Sequence, residues 1–147
     1  MITREVDYAI RAVLELASSA SGRSAAELAR ATQVPYPFLR RVLGRLVAAK
    51  LATSLRGRGG GVQLARPAGA ISLLDVARAI DPDTVTLNIC LRDGGACSRA
   101  RRCAAHAPLG RVQRELWRAL DTVTFAALVK QERTQTDKPN KNNRRKP

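Results

Sequence analysis

Two closely spaced helix signals, followed directly by a hairpin signal, restrict the fold of this chain more than any other feature of its sequence. Ser24 and Glu27 have the spacing of a capping box, which predicts a short helix that ends near Ala31. A second helix is expected over 35–50, with Pro35 at its first position, where the missing N–H costs nothing. Two helices so close together, the second with a basic free face, are typical of a helix-turn-helix.

The residues after the second helix predict a β-hairpin with a glycine-rich tip. Two strand-like stretches, 51–55 and 62–64, flank the sequence Arg-Gly-Arg-Gly-Gly-Gly at 56–61. A strand–turn–strand unit directly after a helix-turn-helix is the wing of a winged helix, and the two motifs together are far more specific than either alone. We therefore predict a mainly α-helical winged helix-turn-helix with a small β-hairpin wing.

Hydrophobic periodicity divides the rest of the chain into helices and irregular segments. Helices are expected over 4–18, from Ser72 to Asp81, over 108–120 and over 125–130. The third of these has apolar residues about 3.5 positions apart, which indicates a narrow helix-pairing surface rather than a broad core face.

Basic residues are concentrated in the predicted helix-turn-helix and wing. The chain has 26 Lys and Arg against 12 Asp and Glu, a net charge of +14. Residues 23–66 alone carry nine basic residues and one acidic residue, a net +8. A further net +4 lies on 131–147, which has no apolar residue and is expected to be disordered. So basic a protein usually binds a polyanion, and a basic helix followed by a basic wing favours DNA over a merely solvated face.

The DNA contacts of such a fold can be assigned to individual residues. An arginine in the major groove can donate two hydrogen bonds to guanine, and arginines at a wing tip suit phosphate or minor-groove contacts. Residues at the start of the second helix would meet base edges first, and glycines at the wing tip let a backbone approach closely. The candidate DNA-binding residues are Tyr36, Pro37, Arg40, Arg41, Arg45, Arg56, Arg58, Gly59 and Gly60.

Several other classes of protein are disfavoured. No stretch approaches the roughly 18 consecutive apolar residues of a membrane span, and the first residues lack a signal-peptide pattern. Three cysteines are too few for a disulfide scaffold, so reduced thiols and a cytoplasmic location are expected. The sequence has neither a phosphate-binding loop that opens a helix nor a Gly-x-Ser-x-Gly motif, so we do not expect an enzyme.

All three cysteines and the only histidine lie within 17 residues, as Cys90, Cys97, Cys103 and His106. Three thiolates and an imidazole form a soft ligand set that suits zinc or an iron–sulfur cluster. Structural zinc usually takes a closely spaced cysteine pair, which is absent, so the wide spacing favours a cluster. Nearby arginines would stabilise thiolates. A redox-active thiol pair and ordinary buried thiols are the alternatives without a metal.

Four features together resemble the Rrf family of bacterial winged-helix transcriptional regulators, which includes iron–sulfur proteins of the IscR and NsrR types. They are the Asp-Tyr-Ala-Ile sequence at 7–10, the arginine- and glycine-rich wing, the helix after Ser72, and the three-cysteine loop before a long helix. The resemblance covers the chain except its tail. It implies a homodimer in which the long helices pair, and a cluster bound by Cys90, Cys97 and Cys103 whose state controls promoter binding.

The resemblance leaves two candidates for the fourth ligand. Cys103 and His106 have the Cys-x-x-His spacing of the IscR type, which holds a [2Fe-2S] cluster. Asp7 lies where the NsrR type supplies an aspartate from the partner subunit to a [4Fe-4S] cluster, and the first cysteine gap is one residue longer than is common. We favour His106 and [2Fe-2S], because its spacing needs no second chain. Asp7 would then be an ordinary first-turn carboxylate.

The sequence therefore predicts a dimeric DNA-binding regulator, expected to be a repressor, that senses iron–sulfur status, redox state or nitric oxide. A winged-helix protein with a structural zinc or a thiol switch is the main alternative, and a cluster-dependent enzyme or electron carrier is another. The expected partners are double-stranded promoter DNA and a second copy of the chain, without a membrane or a small-molecule substrate. The predicted parts are a winged helix-turn-helix over 1–82, a cluster-binding loop over 83–105, a dimerisation helix and short C-terminal helix over 106–130, and a disordered basic tail over 131–147.

Overall fold

Helix α1 lies at the centre of the fold and packs against four other helices. The computed structural model describes residues 2–57, 60–92 and 97–136. The elements are α1 (Arg4–Ser18), α2 (Ala25–Thr32), α3 (Tyr36–Ala48), β1 (Ala52–Ser54), β2 (Val62–Leu64), α4 (Leu73–Ile80), α5 (His106–Thr122) and α6 (Phe125–Thr136). The apolar face of α1 is buried against α2, α3, α4 and α6. Its bounds and its amphipathic pattern are those that the sequence predicted.

Helices α2 and α3 have the predicted helix-turn-helix arrangement. The backbone N–H of Glu27 donates a hydrogen bond to Ser24 Oγ (3.2 Å), and the backbone N–H of Ser24 donates one to Glu27 Oε2 (2.8 Å), which completes the capping box. The bond from the Ser24 backbone is the main reason that the pKa of Glu27 is lowered from its usual value. Gln33, with a left-handed backbone (φ 56°), ends α2 and turns the chain towards α3.

Helix α3 begins one residue later and ends two residues earlier than predicted. Pro35 has extended backbone (ψ 132°) and is the N-cap, whose carbonyl accepts a hydrogen bond from the N–H of Leu39 (3.1 Å). The helix stops before Lys50 because that residue has a left-handed backbone (φ 57°). The N–H of Leu51 then reaches back to the carbonyl of Leu46 (2.9 Å), as in a Schellman motif, and closes the helix end.

Strands β1 and β2 pair antiparallel and form the predicted wing. The wing is also tied to the connection between α1 and α2, because Arg23 and Val62 exchange backbone hydrogen bonds of 2.9 and 2.8 Å. Gly61 lies next to this bridge, and a Cβ there would lie 2.4 Å from the carbonyl oxygen of Arg23. Glycine is therefore required at this position so that the wing can dock on the helices.

A short backbone bridge places the C-terminal helix on the core. The N–H of Leu73 donates to the carbonyl of Val123 (2.9 Å), and the N–H of Phe125 donates to the carbonyl of Ile71 (3.0 Å). Phe125 is fully buried at the start of α6. The other buried apolar side chains of the described core are Ala, Leu, Val and Ile, as expected for a chain with 3% aromatic residues.

Both C-terminal helices are longer than predicted, and the far end of α5 also lies two residues beyond its predicted bound, at Thr122. Helix α5 begins at His106, two residues before Pro108, because that proline falls in the first helical turn, where its missing N–H has no partner to lose. Helix α6 continues through 131–136, which the sequence had assigned to the disordered tail. Gln, Glu and Arg are good helix formers, and extending a helix costs far less than nucleating one. Residues 137–147 lie outside the described residues.

The segment between α4 and α5 is less irregular than predicted. It contains three short 3-10 helices, Pro82–Val85, Ile89–Leu91 and Ala100–Arg102. Within the described ranges, none of the helices combines the length and the apolar content that a membrane crossing requires.

Candidate functional site

The exposed face of α3 carries four of the predicted DNA-binding residues side by side. Tyr36, Pro37, Arg40 and Arg41 line one shallow depression. The Arg40 guanidinium lies over the Tyr36 ring, 6.0 Å from its centroid, which is the range of a cation–π contact. The opposite face of α3 is buried in the core. The apolar stripe and the basic face therefore lie on opposite sides of the helix, as the sequence predicted.

An aromatic contact that the sequence analysis missed joins this face to α1. The ring of Phe38 lies 6.3 Å from the ring of Tyr8, and the Arg41 guanidinium lies 5.3 Å from the Phe38 centroid. Both contacts limit where Arg41 can point. The available signal was a phenylalanine at the edge of the apolar stripe, in a chain that has only two phenylalanines.

Glu5 of α1 was also missed, and it pairs with two of the predicted DNA-binding arginines. Its carboxylate lies 3.2 Å from Arg41 and 2.8 Å from Arg45. Arg45 donates a second hydrogen bond to the carbonyl of Ile80 (2.9 Å), the last residue of α4. A guanidinium at this end satisfies a carbonyl that has no helical partner. Arg45 therefore joins α1, α3 and α4, while Arg41 has one ion-pair partner in the described part of the chain.

Gly44 lies in a groove between α3 and the wing. The groove measures about 280 Å³ and also contacts Arg40 and Ser54. A Cβ at Gly44 would meet no atom within 4 Å, so the packing of the described chain does not require glycine here. Glycine inside a helix nevertheless costs about 1 kcal/mol relative to alanine. Its presence on the exposed basic face therefore calls for an explanation outside the fold.

The described part of the wing leaves Arg56 exposed. Gly57 has a φ of +110°, which other residues rarely adopt, and a Cβ at Gly60 would lie 2.8 Å from a backbone carbonyl of the same turn. The turn itself therefore needs these glycines, whatever approaches it from outside. Arg58 and Gly59, the other predicted contacts of the wing, lie outside the described residues.

The predicted metal ligands are close in sequence but are not gathered in the described structure. Cys90 is half-buried in the 3-10 helix Ile89–Leu91, Cys97 is half-buried, and Cys103 is exposed. Within the described ranges, no three His, Cys, Asp or Glu side chains come together in a way that could hold a metal ion.

His106 has the most distinctive environment of the predicted ligands. It is the first residue of α5, and its Nδ1 atom is buried with no hydrogen-bond partner among the described residues. A buried polar atom without a partner is costly unless something else binds it. Asp7, the alternative fourth ligand, forms an ion pair with Arg11 (2.8 Å) one turn along α1. It therefore has the contacts of an ordinary first-turn carboxylate.

Helix α5 buries little of its surface within the described chain. Gln113 is its only buried residue, whereas the side chain of Val112 is 57% exposed. Gln113 fixes the start of the cysteine segment, which comprises residues 83–105, to the helix. Its Oε1 accepts a hydrogen bond from the N–H of Leu87 (2.9 Å), and its Nε2 donates one to the carbonyl of Leu91 (3.4 Å). The turn that contains Cys90 is thereby fixed to α5 on both sides.

Comparisons with known proteins agree with this architecture. Residues 2–131 match the family model described as "Rrf2: Iron-dependent Transcriptional regulator". Rv1287 of Mycobacterium tuberculosis, named as an HTH-type transcriptional regulator, is 43% identical over 82 residues. That match spans 54% of this chain and 51% of the regulator, so it covers about half the length of each protein.

Two solved structures share the fold. IscR of T. potens has a TM-score of 0.74 and 20% identity, over 95% of this chain and 93% of that one. CymR (YrzC), the global cysteine regulator of B. subtilis, has a TM-score of 0.69 and 22% identity, over 89% of this chain and 97% of that one. At these identities the likeness establishes the winged-helix fold.

Substitution of Arg45 by alanine is expected to lower the free energy of unfolding by about 1 kcal/mol, because it removes the guanidinium that joins three helices. The side chain is partly exposed, which keeps the loss at this modest level. Arg40→Ala is the matched control, since Arg40 lies on the same helix and should change stability by no more than about 0.5 kcal/mol. Urea denaturation followed by circular dichroism measures both, and equal losses would contradict a structural role for Arg45.

Proposed function

The chain belongs to the Rrf2 family of transcriptional regulators, and we propose that it acts as a homodimeric repressor whose promoter binding responds to an iron–sulfur cluster held by its cysteine segment. The observation that supports DNA reading best is the exposed basic face of α3. It lies on the second helix of a helix-turn-helix, opposite a buried face and beside a wing. A recognition helix of this kind lies in the major groove.

The residues of this face have different roles in the proposed complex. Arg40 and Arg41 reach base edges, where each guanidinium can donate two hydrogen bonds to guanine O6 and N7. Arg41 must leave Glu5 to do so, and Glu5 therefore sets part of the cost of that contact. Gly44, further along the same face, lets a DNA backbone approach the helix closely. Arg56 of the wing contacts a phosphate, which adds affinity without sequence preference.

We expect Arg41→Ala to relax sequence preference and Arg56→Ala to weaken binding to all sequences alike. Loss of a two-bond guanine contact costs about 1–3 kcal/mol, roughly 5- to 150-fold in Kd, on the preferred sequence only. Loss of a phosphate contact lowers affinity for every duplex and reduces the salt slope by about 1. The probes are a duplex enriched from a random library by the wild-type chain and its scrambled version, compared by fluorescence anisotropy at several salt concentrations.

Arg118→Ala is the control for both variants, because Arg118 is exposed on α5 and pairs only with Glu115 in the described structure. Its affinity for both duplexes should equal that of the wild type. If Arg41→Ala weakened binding to the enriched and scrambled duplexes equally, Arg41 would be a phosphate contact and the assignment of base reading would be wrong.

The exposed apolar surface of α5 supports the proposed dimer. Val112 of this helix and Ile89 and Leu87 of the preceding segment are all large apolar residues exposed in the described chain. Trp117 and Leu120 pack α5 on the core, but they leave the Val112 side of the helix uncovered, and a second copy of the same helix would cover this surface. Pairing through α5 leaves both copies of α3 free to contact DNA.

The substitution Val112→Asp is expected to convert the dimer into a monomer, because a carboxylate buried in an apolar contact has no partner there. Sedimentation velocity measures the change, and circular dichroism checks that the helix content is preserved. Arg118→Gln, a polar exchange on an exposed position of the same helix, should leave the dimer intact. A wild-type monomer, or a Val112→Asp dimer, would exclude pairing through this surface.

The proposed cofactor rests on the chemistry of the donors. Cys90, Cys97 and Cys103 would hold an iron–sulfur cluster, with His106 as the fourth ligand or Asp7 from a second copy in its place. The unpartnered Nδ1 of His106 fits this role, because a ligand bond would satisfy it. When bound, such a cluster supplies redox chemistry and, in the favoured form, two iron atoms. Since no three donors are gathered in the described ranges, binding requires the segment to close around the group.

Gln113 gives the cysteine segment a direct mechanical connection to α5. Its side chain is hydrogen-bonded to the backbone at Leu87 and at Leu91, so a movement of the turn between them changes the position of the Gln113 side chain. In a dimer paired through α5, the orientation of that helix sets the separation of the two α3 helices. Half-sites one helical turn apart, about 34 Å, tolerate little change in that separation. We infer that the cluster state reaches DNA by this route.

A thiol switch without a metal is the second candidate function. It is favoured by the one observation that disagrees with a cluster, namely that three donors are not gathered in the part of the chain that the structure describes. The exposed thiol of Cys103 and the half-buried thiols of Cys90 and Cys97 are accessible to oxidants in this arrangement.

Protein purified without oxygen is expected to be coloured and to contain iron and acid-labile sulfide. Cys97→Ala should lose the iron, the colour and the response of DNA binding to mild oxidants or nitric oxide, whereas Ser98→Ala, at the adjacent position, should keep all three. Zinc in a colourless protein would indicate a structural metal site in place of a cluster. A metal-free protein whose DNA binding still responds to oxidants would favour the thiol switch, and unchanged promoter binding by Cys97→Ala in every state would exclude sensing here.

A further inference from the structure

A cleft between α4, the 3-10 helix Pro82–Val85 and α5 is lined by side chains to which the proposed function gives no role. Its volume is about 700 Å³, which lies in the size range of small-molecule pockets. Its lining includes Arg78, Pro82, Asp83, Leu91, Arg92 and Trp117. Aliphatic and aromatic walls with two guanidinium groups and one carboxylate give the described lining of the cleft a positive balance.

Arg78 and Trp117 form a fixed corner of this cleft. Trp117 Nε1 donates a hydrogen bond to the carbonyl of Val85 (2.8 Å), which orients the ring, and the Arg78 guanidinium lies 4.3 Å from the ring centroid. Among the described residues, no carboxylate lies within ion-pair distance of Arg78. A guanidinium that packs on a fixed ring and has no carboxylate partner within the described ranges loses little freedom when an anion binds to it.

Arg92, which follows the 3-10 helix Ile89–Leu91, provides a second guanidinium in the lining. Its Nε lies 3.2 Å from Asp83 Oδ1, and both side chains are about half exposed. An exposed pair of this kind contributes little to stability, so it can rearrange at small cost. The other nitrogen atoms of Arg92 remain able to donate to a ligand while the Asp83 contact persists.

We propose that this cleft binds a small organic carboxylate, with Arg78 and Arg92 as the two donors and Leu91, Pro82 and the Trp117 edge around its carbon chain. A dicarboxylate can use both guanidinium groups, because Arg78 belongs to α4 and Arg92 follows the 3-10 helix Ile89–Leu91. Such a ligand bridges α4, which supports α3 through the Ile80–Arg45 contact, and α5. A role as an effector of DNA binding rests on the proposed function, whereas binding itself does not.

Trp117 is the only tryptophan of the chain and therefore reports on the cleft directly. Titration of the full chain with succinate is expected to change its fluorescence and to saturate, whereas sodium chloride at matched ionic strength should not. Inorganic phosphate and propionate are the comparison probes, and both should bind at least about 10-fold more weakly. Phosphate binding as tight as succinate would overturn the carboxylate class, and no saturable change with any probe would overturn the site.

The variants Arg78→Gln and Arg92→Gln should each raise the Kd for succinate about 10-fold or more, since each removes a charge-assisted hydrogen bond. Isothermal titration calorimetry gives the same constants without relying on the ring next to Arg78. Arg78→Lys, which keeps the charge on the ring but loses the paired donors, provides a second test if Arg78→Gln is unstable. Arg118→Gln, on the residue after Trp117, should bind as the wild type does. Unchanged Kd values in both cleft variants would place the anion elsewhere.

Fluorescence anisotropy with the enriched duplex distinguishes succinate binding in the cleft from an effect of succinate on DNA binding. Succinate is expected to change the Kd for the duplex at least about 3-fold in the wild type and to have no effect in Arg78→Gln. Succinate binding without any change in the Kd for DNA would overturn the effector role. A chain that binds succinate and prefers no duplex at all would overturn the proposed function and support the site alone.

Discussion

Helix α1 has to bury one apolar face against helices from both ends of the chain, and the rest of the structure depends on this burial. Ala9 and Ala12 keep that face narrow, so that neighbouring helices can approach closely. α3 packs on α1 from one direction, and α4 and α6 pack on it from others. As a result the first turns of α1, with Glu5 and Tyr8, lie beside the exposed side chains of α3. The contacts that order the basic face therefore come from a distant part of the sequence.

The elements of the fold could be predicted because their causes are local. The capping boxes at Ser24 and Ser72 and the glycines of the wing act within a few residues, and each leaves a recognisable spacing. The end of α3 could not be placed in the same way, because a lysine at 50 gives no sign of left-handed backbone. The contacts of Arg45 could not be predicted for a similar reason: its partners Glu5 and Ile80 lie more than thirty positions away, and such pairs leave no local pattern.

For the candidate metal site, the sequence identified suitable donors but not how they are arranged in space. Clustering of every cysteine with the only histidine identified the segment, but closeness in sequence does not specify how short 3-10 turns orient their side chains. The described structure holds Cys90 against α5 through the backbone contacts of Gln113 and leaves Cys103 exposed. Gln113 itself was a polar residue within an apolar helix seam, and its spacing gave no indication that it would be the buried residue of α5.

Ion pairs also reduce the positive charge that the helix-turn-helix and wing present to solvent, so that it is smaller than the net +8 counted from the sequence of 23–66. Within the described residues of 23–66, Arg23, Arg41, Arg45 and Arg66 have carboxylate partners, and every one of those partners comes from outside the segment. On the exposed face of α3, the basic charge without a carboxylate partner among the described residues is that of Arg40. Arg41 can join it at low cost, because Glu5 keeps Arg45 at 2.8 Å after Arg41 has left and is not exposed as an unpaired carboxylate. Shared pairing thus distinguishes two arginines one helical turn apart: Arg45 joins three helices, whereas the only ion-pair partner of Arg41 among the described residues is Glu5, which Arg45 also holds.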